Sequence, residues 1–287
     1  MDNLGIVGNG FVGSAIAAGF ALHANVMVYD KDMKRATHSL REVMEHCEFV
    51  FVSVPTPMKS TENGEIDLTI LDDVLKEISD LNTILKNEDS IIVIKSTVIP
   101  GTTSRYEEKY PNLNIVFNPE FLTERTARLD FINSSRIILG GRTSLTERLE
   151  RLYRIRFPYV KIICTDAESA EFIKYMCNCF FAVKVSYMNE MKQMATTRGL
   201  DWDHIMSGFL SDGRIGNSHI DVPGHDGMRG FGGKCFPKDI NAFMHFFLLS
   251  GVNPVMLKAA WDKNLEVREK HDWLHITGAV SKGEKNE

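Results

Sequence analysis

Gly8-Asn9-Gly10-Phe11-Val12-Gly13 follows the short apolar run 4–7 and precedes a helical pattern over residues 14–22. A second apolar run, 26–29, ends at Asp30. Glycines let the turn between a strand and a helix approach a diphosphate closely. The opening of the helix offers backbone N–H groups to that anion, and an acid after the second strand binds a ribose hydroxyl. The glycine spacing alone is weak evidence, but strand, turn, helix, strand and acid in this order specify a dinucleotide-binding unit. The acid repels a 2′-phosphate, which favours NAD over NADP. Arg35 pulls the other way, because an arginine beside the adenosine ribose also suits a phosphate.

The pattern continues outward from this unit. Runs 49–54, 90–94, 115–117, 137–140 and 161–164 read as buried strands, with helical segments at 69–81 and 143–154 between them. Strands alternating with helices imply a parallel, doubly wound sheet, so residues 1–165 are expected to form a Rossmann-type α/β domain. Ligands in such sheets bind beyond the carboxyl ends of the strands. Those ends carry Val54-Pro55-Thr56-Pro57 with a polar loop over 59–67, Lys95-Ser96-Thr97-Val98, and Asn118-Pro119-Glu120-Phe121-Leu122-Thr123-Glu124. Glu120 and Glu124 are four apart, so a helical turn here stacks both carboxylates on one side and holds one proton high. A solvated acidic surface neutralised by Arg125 and Arg128 is the plainer alternative.

Residues 166–198 contain neither proline nor glycine, and their apolar positions recur at helical spacing. A helix of this length, roughly 50 Å, is long enough to leave the first domain and support a second, helical one over residues 166–287. Lys174 and Asn178 lie one turn apart on it. A lysine buried beside an amide can stabilise an oxyanion, whereas a lysine snorkelling to solvent does nothing chemical. Further helices are expected over 201–209, from the run 240–249, and over 254–276, with a frayed tail over 278–287.

Gly227 to Asp239 reads G-M-R-G-F-G-G-K-C-F-P-K-D. Glycines crowd ahead of Cys235, Lys234 and Lys238 flank it, and a helix opens near Pro237. Cationic charge and a helix N-terminus both favour a thiolate, so this reads as a nucleophilic thiol rather than an inert buried cysteine.

Composition excludes several classes of function. The net charge of -5 and the lack of Lys/Arg blocks give no footprint for nucleic acid. No apolar run reaches a membrane span, and no leader pattern opens the chain, so a cytoplasmic protein is expected. The five cysteines are scattered, indicating neither a disulfide framework nor a metal site. Cys177 and Cys179 read as packing residues, and His219 and His225 stand alone.

Taken together, these motifs resemble the UDP-glucose/GDP-mannose dehydrogenase family: G-N-G-F-V-G, V-Y-D, S-V-P-T-P, K-S-T-V, N-P-E-F-L-T-E, K-Y-M-C-N, G-R-I-G-N and G-F-G-G-K-C-F-P-K-D, in order along nearly the whole chain. The resemblance implies NAD-dependent four-electron oxidation of a nucleotide sugar's C6 alcohol to the carboxylate, with UDP-glucose as the expected substrate. It makes Cys235 the nucleophile that carries a thiohemiacetal and then a thioester, and Glu120 the base that hydrolyses it. Lys174 and Asn178 become oxyanion partners, while Thr97 and Asp239 place a proton or water. Gly8, Asn9, Gly10, Phe11, Val12, Gly13, Asp30, Arg35, Val54, Pro55, Thr56, Thr97 and Glu124 would hold NAD. Glu120, Phe121, Leu122, Lys174, Asn178, Arg229, Phe231 and Gly232 would meet the sugar. Arg214 would reach a neighbouring subunit's site, in a homodimer formed through the long helix.

The sequence departs from the family pattern in two ways. Arg125 stands where glycine is common, and the chain is expected to lack the family's C-terminal nucleotide-sugar-binding domain. That second departure keeps open a non-catalytic NAD-binding or oligomerisation subunit, or a low-activity remnant. A β-hydroxyacid dehydrogenase, which uses no covalent cysteine, is a further alternative.

Overall fold

The computed structural model describes residues 2–59 and 64–281. Parts of the expected 59–67 loop and 278–287 tail therefore lie outside the described residues. The elements run β1 (Asn3–Val7), α1 (Phe11–Phe20), β2 (Asn25–Tyr29), α2 (Leu40–His46), β3 (Phe49–Val52), α3 (Thr69–Leu85), β4 (Ile91–Ile94), α4 (Thr102–Lys109), β5 (Asn114–Phe117), α5 (Ala127–Ile132), β6 (Arg136–Gly140), α6 (Thr143–Arg156), β7 (Lys161–Thr165), α7 (Ala167–Thr197), α8 (Trp202–Leu210), α9 (Phe236–Leu249) and α10 (Val255–Val267). The chain divides into two compact units. Unit 1 comprises Met1–Thr56 with Leu68–Lys174, and unit 2 comprises Pro57–Asp67 with Tyr175–Glu287.

Unit 1 is a seven-stranded sheet in the order β2-β1-β3-β4-β5-β6-β7. β1 to β5 pair in parallel, as do β6 and β7, but β5 meets β6 antiparallel through Phe117 and Gly140. The parallel, doubly wound sheet expected from the sequence is present, with this one antiparallel junction. The alternation of side chains along each strand builds a core on both faces. Leu4, Ile6, Phe49, Phe51, Ile91 and Val93 pack with α1, α5 and α6 residues, including Ile16, Phe20, Phe131 and Tyr153. Val7, Val50, Val52, Ile92, Ile94 and Ile115 pack with α2, α3 and α4 residues, including Val43, Leu71, Leu75 and Tyr106. Four-residue strands with every side chain buried, as in β3 and β4, are what a sheet covered on both faces requires. The chain reverses direction of travel across the sheet between β1 and β3, and this switch point is where an open α/β sheet takes its ligand.

Unit 2 is helical. The Tyr175 and Phe243 rings stack at 5.3 Å, and Trp261 meets Trp273 at 5.3 Å. The segment from Pro57 packs here. Met58 N–H donates to Ala279 O at 3.0 Å, and Met58 O accepts from Ser281 N–H at 2.8 Å. The helix expected over 254–276 stops at Val267. Arg268 turns extended because its guanidinium is drawn into the interior of this unit, where it is 3% exposed.

Candidate active site

The glycine turn of unit 1 is built as its sequence demands. Gly8 sits at φ +92°, and a Cβ there would lie 2.6 Å from Ser53 O. At Gly13 a Cβ would lie 2.0 Å from Gly8 O, so no other residue lets α1 close on the turn. Gly10 caps α1 without a side chain, and no acid occupies the helix's first turn, leaving its N-terminus suited to an anion. The Asp30 carboxylate accepts the Asn9 N–H at 2.6 Å, which fixes the acid beside the turn. Arg35 is exposed, 3.6 Å from Asp32, and its carbonyl accepts from Asn9 Nδ2. This cradle fits a dinucleotide: the glycines leave room for a diphosphate, and Asp30 stands ready for a ribose hydroxyl.

The ends of β3 and β4 are stitched together. Ser96 Oγ donates to Val54 O at 2.7 Å and accepts from Val54 N–H at 3.0 Å, while Thr56 Oγ1 donates to Thr97 O at 2.8 Å. Beyond β5 the chain is irregular through Thr123, and Glu120 is buried at 7% exposed. Lys174, at 3% exposed, reaches the Glu120 carboxylate at 2.8 Å and its carbonyl at 2.5 Å. The other carboxylate oxygen of Glu120 accepts the Leu122 N–H at 2.7 Å. Glu124 is exposed. No helix spans residues 118–126, so the turn on which stacking of the two carboxylates depended is absent, and buried Glu120 takes a cation as partner. Nor does Lys174 snorkel. Its ammonium also lies 5.3 Å from the centre of the Phe121 ring, over which the Arg136 guanidinium lies at 4.3 Å.

Two residues of this constellation had no role assigned from sequence. Lys95 is buried and donates to Asn118 Oδ1 at 3.0 Å and Pro119 O at 3.2 Å. Burial pulls its ammonium down to about 7; the Glu120 carboxylate opposes that shift and Lys174 adds to it. Its signal in the sequence was a charged residue directly after the four-residue apolar run of β4. Glu171, one turn before Lys174 on α7, accepts from Gly101 N–H at 2.6 Å, Thr103 N–H at 2.8 Å and Thr103 Oγ1 at 2.5 Å. It anchors α7 to the first turn of α4. Burial pushes its carboxyl up to about 7 against the pull of those hydrogen bonds.

Unit 2 holds the second constellation. Cys235 is half-buried and is the N-cap of α9, with Pro237 in the first turn, as the sequence predicts. Asp239, 1% exposed, lies one turn on, and its N–H donates to Cys235 O at 2.8 Å. Its carboxylate accepts from Asn178 Nδ2 at 2.5 Å and pairs with Lys238 at 2.5 Å. Lys238 is thus engaged by Asp239, and Cys235 stands at the positive end of α9. Arg214 is exposed and paired with Asp212 within its own loop. The Phe231 ring is buried, 6.1 Å from both Phe236 and Trp261; it plugs the loop into the unit. Cys179 is a buried thiol whose burial keeps it protonated, in keeping with a packing role. Among the described residues, no helix is long and apolar enough to cross a membrane.

Comparisons with known proteins cover both units of the chain. The profile of the UDP-glucose/GDP-mannose dehydrogenase family, NAD binding domain, matches residues 34–156, and that of the family's central domain matches 168–266. The UDP-glucose 6-dehydrogenase AglM of Haloferax volcanii is 32% identical, over 91% of this chain and 69% of its own length. A UDP-glucose dehydrogenase structure from Pyrobaculum islandicum superposes with a TM-score of 0.80 at 27% identity, covering 93% of this chain and 68% of that one. A 3-hydroxyisobutyrate dehydrogenase from Mycobacterium tuberculosis shares the fold, with a TM-score of 0.73 at 15% identity and 93% of each chain covered. The chain spans 69%, 52% and 65% of the length of the UDP-glucose 6-dehydrogenases of Haloferax volcanii, Rickettsia bellii and Pseudomonas aeruginosa.

Proposed function

We propose that this chain, which belongs to the UDP-glucose/GDP-mannose dehydrogenase family, oxidises the primary alcohol of a nucleotide sugar to the carboxylate, with UDP-glucose as its substrate. The observation that carries the reading is a half-buried cysteine at the N-cap of α9, followed one turn later by a buried aspartate bound to Asn178. Bound NAD+ supplies the oxidant, accepting a hydride in each of two rounds.

The chain's own residues supply the rest. Gly8, Gly10, Gly13 and Asp30 hold the dinucleotide. After the first oxidation the substrate is an aldehyde, which cannot release a second hydride until a nucleophile adds to it. The Cys235 sulfur bonds to the aldehyde carbon, and the carbonyl oxygen takes a proton to give a thiohemiacetal. Loss of a hydride and the hydroxyl proton leaves a thioester. Glu120 takes a proton from water as that water attacks the thioester carbon; the C–S bond then breaks, and sulfur leaves as the thiolate. The balance is alcohol, two NAD+ and one water going to carboxylate, two NADH and three protons. Lys174 and Asn178 donate to the oxyanion at each addition, and Asp239 with Thr97 orders the water.

A homodimer through α7 belongs to the same proposal. Phe172, Met176, Phe180, Tyr187 and Met194 are exposed and recur at spacings of four and seven, which places them along one stripe of the helix. The test of function is purified protein incubated with NAD+ and a panel of UDP- and GDP-sugars, followed by the absorbance of the reduced cofactor. Turnover with UDP-glucose above the other sugars supports the proposal. Absence of reduction with every sugar, from protein that binds NAD+, rejects it.

A further inference from the structure

The loop that delivers Cys235 is shaped by buried polar side chains that take no part in the chemistry proposed above. Gly230 N–H donates to Asn189 Oδ1 at 3.2 Å. Asn264 clasps Phe231 from both sides: its Oδ1 accepts the Phe231 N–H at 2.6 Å, and its Nδ2 donates to Phe231 O at 3.0 Å. Gly233 N–H donates to Asp272 Oδ2 at 3.0 Å. The Arg268 guanidinium donates to Arg229 O at 3.3 Å and is held between Asp226 at 2.8 Å and Asp272 at 3.0 Å. Asn264 is 0% exposed and Arg268 is 3% exposed.

The glycines are the counterpart of this mould. A Cβ on Gly230 would lie 2.3 Å from Asn264 Oδ1, and one on Gly232 would lie 2.2 Å from both Arg268 Nη2 and Asp272 Oδ1. Gly230 and Gly233 also take positive φ. The glycine-rich stretch therefore serves to let the backbone press against the buried Asn264 amide at Gly230 and against the Arg268–Asp272 ion pair at Gly232. The Arg268 side chain is buried while those of Asp226 and Asp272 each stay 29% exposed; burying a guanidinium is costly unless it is paired, and it lies just past the end of α10 at Val267.

We infer that Arg268, with Asp272 and Asn264, is the positioning group for Cys235, moulding residues 229–233 so that the sulfur is presented at the first turn of α9. The inference rests on the reading of Cys235 as nucleophile. Because the two carboxylates neutralise the guanidinium, the cluster acts on Cys235 through the loop's shape. A lysine cannot reproduce it, since the planar fork reaches Asp226, Asp272 and two carbonyls at once.

The test compares wild type with Arg268→Lys, Asp272→Asn and Gly232→Ala. Three quantities are read: the rate of Cys235 alkylation by iodoacetamide, resolved by peptide mass spectrometry, with exposed Cys164 as internal reference; the affinity for NAD+; and kcat and KM separately. The expected result is Cys235 alkylation slowed at least about tenfold in Arg268→Lys and Gly232→Ala. The same variants should lose about a hundredfold in kcat, the scale of an ångström's misplacement, while Cys164 alkylation and NAD+ affinity stay within about twofold. A role confined to stability would lower the unfolding midpoint and leave the thiol's reactivity in the folded protein unchanged, which overturns the inference. Should Arg268→Lys fail to fold, Asp272→Asn and Gly232→Ala decide by the same criterion. A wild-type Cys235 that reacts no faster than Cys164 removes the nucleophile reading itself; a fast wild-type thiol that is equally fast in the folded variants removes only the positioning role.

Discussion

Replacing Lys174 with methionine keeps most of the side chain's length and removes its charge, leaving the Glu120 carboxylate buried at 7% exposed without its 2.8 Å partner. Two hydrogen bonds are lost, to the carboxylate and to the Glu120 carbonyl. Removing one member of a buried ion pair costs about 3–5 kcal/mol. Lys95 moderates this, because the Lys174 charge now holds its ammonium down while Glu120 holds it up. Once Lys174 is gone, Lys95 takes its proton more readily and returns part of the missing positive charge. The expected loss is therefore the lower end, about 3 kcal/mol, which with a urea slope of about 2–3 kcal/mol/M moves the midpoint down by roughly 1–1.5 M. The assay is reversible urea unfolding followed by far-UV circular dichroism on Lys174→Met, Glu120→Gln and the double variant. Because a neutral amide needs no counter-ion, the double variant is expected to be more stable than Lys174→Met, with a coupling of about 2 kcal/mol. A midpoint for Lys174→Met within about 0.3 M of wild type, or a double variant no more stable than that single one, would show that charge compensation is not what Lys174 contributes. In turnover, Lys174→Met is expected to lose about a hundred- to a thousandfold in kcat, the worth of one oxyanion donor.

The remaining predictions concern the glycine turn and pH. Gly13→Ala forces a Cβ to 2.0 Å from Gly8 O, whereas a Cβ on Gly10 meets nothing within 4 Å. Calorimetric titration with NAD+ should show both variants at least about tenfold weaker (about 1.4 kcal/mol), while thermal unfolding should show only Gly13→Ala destabilised; a Gly10→Ala protein with wild-type affinity contradicts the cradle. Lys95 falls from 10.5 to about 7 in the fold, so the unfolded chain binds the extra proton between those values, and wild-type stability relative to Lys95→Met should rise with pH from about 7 to 10.5, by at most about 5 kcal/mol. Glu171 goes the other way, from 4.5 to about 7. The fold holds its proton longer, so wild-type stability relative to Glu171→Gln should fall as pH rises from 4.5 to about 7. Urea midpoints across pH check both signs, and a flat difference in either window refutes the corresponding burial argument.

What could be read from the chain follows from the range of the interactions involved. The glycine turn, Asp30 and the strands were legible because their determinants are local: backbone room, and apolar runs bounded by turn residues. Cys235 at the head of a helix was legible for the same reason, with Pro237 marking the first turn. Misreadings arose where a distant partner decided. For Glu120 the spacing offered either a stacked pair with Glu124 or a solvated surface beside Arg125 and Arg128, but its cation comes from Lys174, fifty-four positions along the chain. The helix expected to run to residue 276 breaks at Arg268 because Asp226 and Asp272 claim the guanidinium. Val-Arg-Glu-Lys-His-Asp at 267–272 reads as a solvated charged stretch, and nothing in it announces that Arg268 is interior. Strand direction at β6 was equally hidden, since an apolar run looks the same in either orientation. Gly230 and Gly232 were legible as glycines that something approaches closely; that the approaching groups include side chains of this chain was not.

The most direct test of the central claim is the ratio of NADH formed to nucleotide sugar consumed, measured under limiting UDP-glucose with excess NAD+, for wild type and Cys235→Ser. Transfer of the aldehyde onto a sulfur of this chain predicts two NADH per sugar for wild type, with carboxylate as product, and no second equivalent for Cys235→Ser. One NADH per sugar from the wild type, or two from Cys235→Ser, would contradict it.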